Sequence, residues 1–225
     1  MISLEELLSS SVHLGHKVQQ WNPKMGSYIY GERGGIHIID ILQTLVCLEK
    51  ISTFLFKISK EEKVILIVGT KRQFSTIIKN CAVNCEAHYV TQRWLGGMLT
   101  NWETIKLCLD NLNFLLKQEE NSDLFSKNKK ENFILQKKKV KLEKYFLGIK
   151  DMKKIPDVVI IIGQSNELNA VKECIKLKIP LITILDTNGD PTLTDFVIPA
   201  NDDSISSLTI ILNYLSNVIK KAKIK

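Results

Sequence analysis

Long apolar runs are missing from this 225-residue chain. None reaches the roughly 18 uninterrupted residues of a membrane-spanning helix, so no transmembrane segment is expected. Arginine is scarce as well. Of 31 basic residues only Arg33, Arg72 and Arg93 are arginines, and the remainder are lysines. With 29 isoleucines beside them, these lysines point to A/T-rich coding DNA. Neither GxxxxGK[ST] nor GxGxxG occurs anywhere, which removes the usual phosphate-cradling loops. Cysteine is sparse and odd in number, five in all, and Cys47, Cys108 and Cys174 lie in apolar helical patterns. Buried thiols in a reducing compartment are therefore expected, not a disulfide framework. A mean hydropathy of zero with 24% charged residues excludes a wholly disordered chain. The length suits one domain with room for an appendage.

What is present is basic, and unevenly placed. The formal net charge is +7. Between Lys117 and Lys154 twelve lysines face six acids, and the last six residues add Lys220, Lys221, Lys223 and Lys225. A basic segment and a basic tail on a nearly neutral body suit a polyanionic partner. A solubilising helical surface would have the same composition. Met1 to Leu8 already reads as a short amphipathic helix, with Ser3 as N-cap and Glu6 three residues on, so no signal or transit peptide is expected.

The pattern then alternates between strands and helices. Tyr28-Ile-Tyr and Ile36-His-Ile-Ile flank Gly31-Glu-Arg-Gly-Gly35 and predict a β-hairpin. A helix is expected over Leu42–Ile58, a strand over Val64–Val68, a helix over Gln73–Val83 and a short strand over His88–Thr91. Further strands fall at Asp157–Ile162, Leu181–Leu185 and Phe196–Ile198, with helices at Glu167–Lys176 and Ser204–Lys221. Short β-branched runs without polar alternation are what strands buried on both faces look like. Helices between them imply parallel βαβ crossovers and an α/β fold with a helix-flanked sheet.

One stretch breaks the alternation. Trp102, Ile105, Leu109, Leu112 and Leu116 form a heptad-like seam, and Leu135, Leu142, Tyr145 and Ile149 continue one after a polar break. Two such helices make an antiparallel, coiled-coil-like hairpin. The expected division is an α/β body of residues 1–100 and 150–225, with residues 101–149 as a protruding insertion. Lys138 is expected on the second seam. The lysine-rich tip around Ser126 to Lys130 is expected to be partly mobile in the free protein and ordered on binding.

In a doubly wound sheet, ligands sit beyond the carboxyl ends of the strands. Those ends read Gly69-Thr-Lys-Arg, Gly163-Gln-Ser-Asn and Asp186-Thr-Asn-Gly-Asp190. Asp186 and Asp190 could hold a divalent metal, but the same residues are ordinary turn formers. His13 with His16, and Cys81 with Cys85, each offer two ligands where a structural zinc needs four. No nucleophile–base arrangement emerges, so no catalytic residue, metal or cofactor is expected. The segment Gln92-Arg-Trp-Leu-Gly-Gly-Met-Leu-Thr-Asn-Trp102 differs. It joins cation, aromatic and two glycines ahead of a helix start, and Trp21-Asn-Pro-Lys-Met25 has related chemistry. Such loops suit an RNA backbone and unstacked bases, although Trp102 belongs to the hydrophobic seam.

Val12-His-Leu-Gly-His16, Trp21-Asn-Pro-Lys-Met25, Gly69-Thr-Lys-Arg72, Arg93-Trp-Leu-Gly-Gly-Met-Leu-Thr-Asn101, Gly148-Ile-Lys-Asp-Met152, Asp186-Thr-Asn-Gly-Asp-Pro191 and Ile198-Pro-Ala-Asn-Asp-Asp203 occur in one order. Together they resemble the bacterial-type small-subunit ribosomal protein two family, and its plastid branch most. The resemblance implies a flavodoxin-like parallel sheet with a projecting helical hairpin. It also implies a non-catalytic role bridging small-subunit rRNA between head and body, beside neighbouring ribosomal proteins, with no membrane and no small-molecule substrate. Its expected location is the ribosome of the plastid (chloroplast) stroma, with a bacterial cytoplasm or a mitochondrion as alternatives. Candidate RNA contacts are Lys17, Trp21, Asn22, Lys24, Arg33, Lys71, Arg72, Arg93 and Trp94, with Lys137, Lys138, Lys139 and Lys141 on the hairpin. Since fold does not fix function, the competing readings are a nucleotide- or metal-binding enzyme or regulator on the same sheet, and a hairpin scaffold for protein partners.

Overall fold

The structure is a computed structural model that describes residues 2–120 and 129–224, without the side chains of 119, 120 and 129–131. Helix α1 (Leu4–Ser9) starts at a capping box. The Ser3 hydroxyl accepts from the Glu6 N–H while the Glu6 carboxylate accepts from the Ser3 N–H. Three antiparallel strands follow, β1 (Leu14–Lys17), β2 (Ile29–Arg33) and β3 (Ile36–Ile39), in the order β1-β3-β2. The β2–β3 hairpin matches the expectation, with Gly34 and Gly35 at positive φ in its turn. Strand β1 is an addition. Leu14-Gly-His-Lys17 carries no β-branched residue, and its register against β3 is irregular, so tertiary pairing makes it a strand and propensity does not.

Asp40 caps α2 (Ile41–Lys60) by accepting from the Leu42 and Gln43 N–H groups. The chain continues through β4 (Ile65–Val68), α3 (Ser75–Asn84), β5 (His88–Val90), α4 (Trp102–Glu120), α5 (Lys129–Phe146), β6 (Val158–Ile162), α6 (Leu168–Leu177), β7 (Leu181–Leu185), β8 (Phe196–Pro199) and α7 (Ile205–Ile224). Strands β4 to β8 form one parallel sheet in the order β5-β4-β6-β7-β8. This is the flavodoxin-like order, and its switch point lies between β4 and β6.

Every residue of β4, β6 and β7 is buried, which explains their unbroken apolar runs. Alternate side chains serve opposite layers. Ile65, Ile67, Ile160, Ile162, Ile182 and Ile184 pack with α2, α3 and α7. Leu66, Val68, Val159 and Ile161 face α6 and the root of the helical hairpin. Among the described residues no helix is long and apolar enough to cross a membrane. All five cysteines are free thiols. Cys81, Cys85 and Cys174 are buried, while Cys47 and Cys108 are partly so.

Helices α4 and α5 pack on each other. Ile105, Leu109 and Leu112 are buried, as the seam requires, and Leu115 joins them. On α5 the seam needs a correction. Lys138 is exposed, and Lys139 is the half-buried residue between Leu135 and Leu142. Helical rows step by three and four residues, and from Leu135 the step is four, then three. Lys139 Nζ lies 3.5 Å from Glu143 Oε1. At the root, a Cβ on Gly148 would come within 2.1 Å of the Tyr89 carbonyl, so only glycine lets the returning chain pass β5. Of the tip around Ser126 to Lys130, for which the sequence predicts mobility, residues 126–128 lie outside the described residues, and Lys129 and Lys130 open α5.

Candidate functional site

The three-stranded sheet docks on the carboxyl edge of the parallel sheet at Gly15. A Cβ there would lie 2.6 Å from Thr187 Cγ2 and 3.0 Å from the His37 carbonyl. In that close approach the His16 N–H donates to Thr187 Oγ1 at 3.0 Å, and the Asn22 N–H donates to the Thr187 carbonyl at 2.8 Å. His16 is thereby carried to the switch point. Its Nδ1 lies 3.0 Å from Asp186 Oδ2 and its Nε2 3.4 Å from Asp203 Oδ2. Asp186 and Asp202 are buried, and Asn201 presents Asp202 and Asp203 at the start of α7 by accepting from the Asp203 and Ser204 N–H groups.

Lys71, just past β4, closes the group. Its Nζ lies 3.2 Å from Asp202 Oδ1 and 2.7 Å from Asp203 Oδ1. The Asp186 carboxylate raises the pKa of His16 over the opposing effect of burial. Burial raises Asp202, and Lys71 only partly offsets it. For Lys71 burial works against the charge, but Asp203 and Asp202 outweigh it and the pKa rises. His16, Asp186 and Asp202 each bring a ligand atom within 4.8 Å of one another, a set that could hold a divalent ion. The ammonium of Lys71 and the imidazole of His16 already serve those carboxylates. Asp190, the acid at the far end of the Asp186–Asp190 turn, faces elsewhere: it caps Pro191–Leu193 and its Oδ2 lies 2.6 Å from Lys24 Nζ. Neither His13 nor the pair Cys81 and Cys85 joins a ligand cluster among the described residues.

A second construction lies beside it, on the loop from Gln92 to Asn101. The Glu173 carboxylate, buried on α6, accepts five hydrogen bonds from this loop. On Oε1 they come from Trp94 Nε1 at 3.0 Å and the Gly97 N–H at 2.9 Å. On Oε2 they come from the Leu99 N–H at 2.9 Å, the Thr100 N–H at 3.0 Å and Thr100 Oγ1 at 3.2 Å. Burial alone would raise the pKa of Glu173, but these donors outweigh it and hold the carboxyl below its ordinary range. Gly97 sits at φ +85°, in the left-handed region that the turn needs. At 6% exposure the Trp94 ring is part of the core, and Arg93 is left outside on a pinned loop.

The model of the family described as Ribosomal protein S2 matches residues 7–222. The chain belongs to the ribosomal protein S2 family. It is 56% identical over 222 residues to small ribosomal subunit protein uS2c of Euglena gracilis, covering 98% of this chain and 92% of that one. Against uS2c of Mesostigma viride it is 53% identical, covering 97% and 96%. Against small ribosomal subunit protein uS2 of Rippkaea orientalis it is 50% identical, covering 99% and 83%.

Within this S2 fold the candidate RNA contacts fall into three groups. Lys17, Arg33, Arg72, Arg93, Lys138 and Lys141 are exposed, and none makes an ion pair or side-chain hydrogen bond among the described residues. Lys137 is exposed with Nζ 4.4 Å from the Phe133 ring centroid. Lys24, Lys71 and Lys139 are paired with carboxylates. Of the remaining three, Trp21 is 40% exposed with its ring centred 5.2 Å from that of His37. The Asn22 side chain accepts from the Lys24 N–H and so serves the local turn. Trp94 is buried. Glu173 is a residue that sequence reasoning misses, and its one sequence signal is a carboxylate beside Ala170, Val171 and Cys174 on the buried stripe of α6.

Proposed function

We propose that this chain is a structural, non-catalytic component of a small ribosomal subunit that binds rRNA through its unpaired arginines. The observation carrying this is the state of Arg33, Arg72 and Arg93: the only arginines in the S2 chain, all exposed and none spent on a carboxylate among the described residues. Arginine forks match phosphate geometry, so these three are the strongest candidates for backbone contacts, with Lys17, Lys137, Lys138 and Lys141 as supporting charge. Names given to the relatives, uS2c and uS2 of the small ribosomal subunit, support the same role, and the uS2c relatives favour a plastid ribosome in the stroma. A bridge between head and body fits a body of residues 1–100 and 150–225 carrying an insertion of 101–149. That division is supported by β5 and β6, which both pair with β4 although α4 and α5 lie between them in the chain.

Replacing Arg72 and Arg93 by Glu is expected to prevent stable incorporation into reconstituted small subunits while leaving the thermal midpoint unchanged, because neither side chain packs in the core. Co-sedimentation with the subunit measures it. Normal incorporation of the double variant would refute the assignment.

A further inference from the structure

A cavity of about 550 Å³ opens between the pinned loop, α5 and the first turn of α6. Its rim carries Arg93, Lys138 and Lys141, and Leu95, Leu142 and Tyr145 form much of its apolar lining. Lys138, Lys141, Leu142 and Tyr145 share one face of α5 by their spacing of three, four and seven. Among the described residues no acid lines this space, and Asn169 supplies a side-chain amide. A second cavity of about 260 Å³, reaching to Thr70 and Glu167 at the switch point, shares Arg93, Trp94 and Asn169 with it. By contrast the cavity at the opposite edge of the sheet mixes Glu62 and Glu86 with Lys60, Lys63 and Lys223.

We propose that the larger cavity receives one unpaired nucleotide of an RNA strand. This rests on the rRNA-binding reading and sharpens it from backbone attraction to capture of a splayed-out base. The volume is within the range of small-molecule pockets and admits a base with its ribose. Single-stranded RNA is held by stacking on aromatic and guanidinium planes with cations along its backbone, and this site offers Tyr145 and Arg93 for the first and Lys138 and Lys141 for the second. Asn169 can meet a base edge with a donor and an acceptor. One wall is fixed before binding, because Glu173 holds Trp94, Gly97, Leu99 and Thr100. An acidic peptide would satisfy the three cations but leave the aromatic lining without a stacking partner, so RNA is the better fit.

The test uses the full chain in three arms. Binding of a short single-stranded oligouridylate is compared with a duplex of equal length, for the unaltered protein and for Lys138→Glu with Lys141→Glu. The variant is expected to weaken single-strand binding about tenfold and to change duplex binding less than twofold. Equal losses for both would show that the lysines act as diffuse charge and would overturn the proposal. Uridine monophosphate and oligoglutamate serve as competitors. Either one competing as well as the oligonucleotide would also overturn it, in favour of a free-nucleotide or an acidic-peptide site. In the last arm, rRNA carrying 4-thiouridine is bound and irradiated, and cross-links are expected at Tyr145 or Asn169. The milder Tyr145→Leu keeps apolar bulk and should weaken cross-linking at Asn169 while the fold persists. If the protein binds rRNA but cross-links only elsewhere, the cavity assignment fails and the rRNA reading stands. If it does not bind rRNA at all, both fail.

Discussion

Five donors converge on the Glu173 carboxylate, three of them main-chain N–H groups on one loop. Removing the acceptor strands those donors in a buried place, so Glu173→Ala should cost about 3–5 kcal/mol, read by urea denaturation. The pH dependence has a definite sign. Its folded pKa is lowered, so this stabilisation is complete above the unfolded carboxylate value of about 4.3 and is lost as pH falls through the lower folded value. The stability gap between wild type and Glu173→Gln should therefore shrink on acidification, and a constant gap from pH 7 to pH 3 would count against the ionised carboxylate. His16 runs the other way. Its folded pKa is raised, so its contribution is complete below about 6.5 and lost as pH rises through the higher folded value. The difference between wild type and His16→Gln should be largest below pH 6. Because the Lys71 ammonium supplies the positive charge that Asp202 and Asp203 need, dialysis against a chelator should leave the thermal midpoint in place, and stoichiometric metal released with a fall in that midpoint would overturn this. None of these partnerships is legible in the chain. Glu173 lies more than seventy residues from its donors, and spacing alone cannot say which acid meets which base.

At the scale of elements the sequence is far more informative, because burial on both faces leaves a strong mark. The five parallel strands and their helices fall close to where the apolar runs place them. The miss is β1, whose Leu14-Gly-His-Lys17 looks like a loop and becomes a strand by pairing with β3. On α5 the sequence puts the seam one residue out, since Lys138 and Lys139 are chemically alike and only the helical phase separates them. On α4 the seam makes a clear contrast. Leu112 is fully buried and Leu107 is 70% exposed. Leu112→Ala should cost about 2–5 kcal/mol and Leu107→Ala about 0.5 kcal/mol or less. Denaturant midpoints of the two variants decide it, and equal effects would mean that α4 does not pack on its seam.

For the whole molecule, charge predicts how the proposed rRNA binding responds to salt. Phosphate contacts release counterions, so affinity should fall steeply between about 50 and 200 mM salt. The Arg33→Glu, Arg72→Glu, Arg93→Glu variant should flatten the plot of log affinity against log salt by roughly 0.9 for each phosphate it no longer neutralises. An unchanged slope would place the phosphate-binding groups elsewhere.

The pairing of α2 with α7 also has a consequence in time. The buried stripe of α2, Leu48, Ile51, Leu55 and Ile58, shares one core with Leu208, Ile211, Leu212, Leu215 and Ile219 of α7. A ribosome makes the first helix long before the second, and β4 must likewise wait for β6 across the whole length of α4 and α5. The nascent chain thus holds an uncovered greasy stripe through most of its own synthesis, and contacts this distant in sequence form slowly. A chain released before Ser204 would possess every strand and no lid for α2, making it a natural client for chaperones. Asp202 and Asp203, which reach Lys71, are themselves made only just before that segment, so the edge of the sheet at the switch point is also a late arrival.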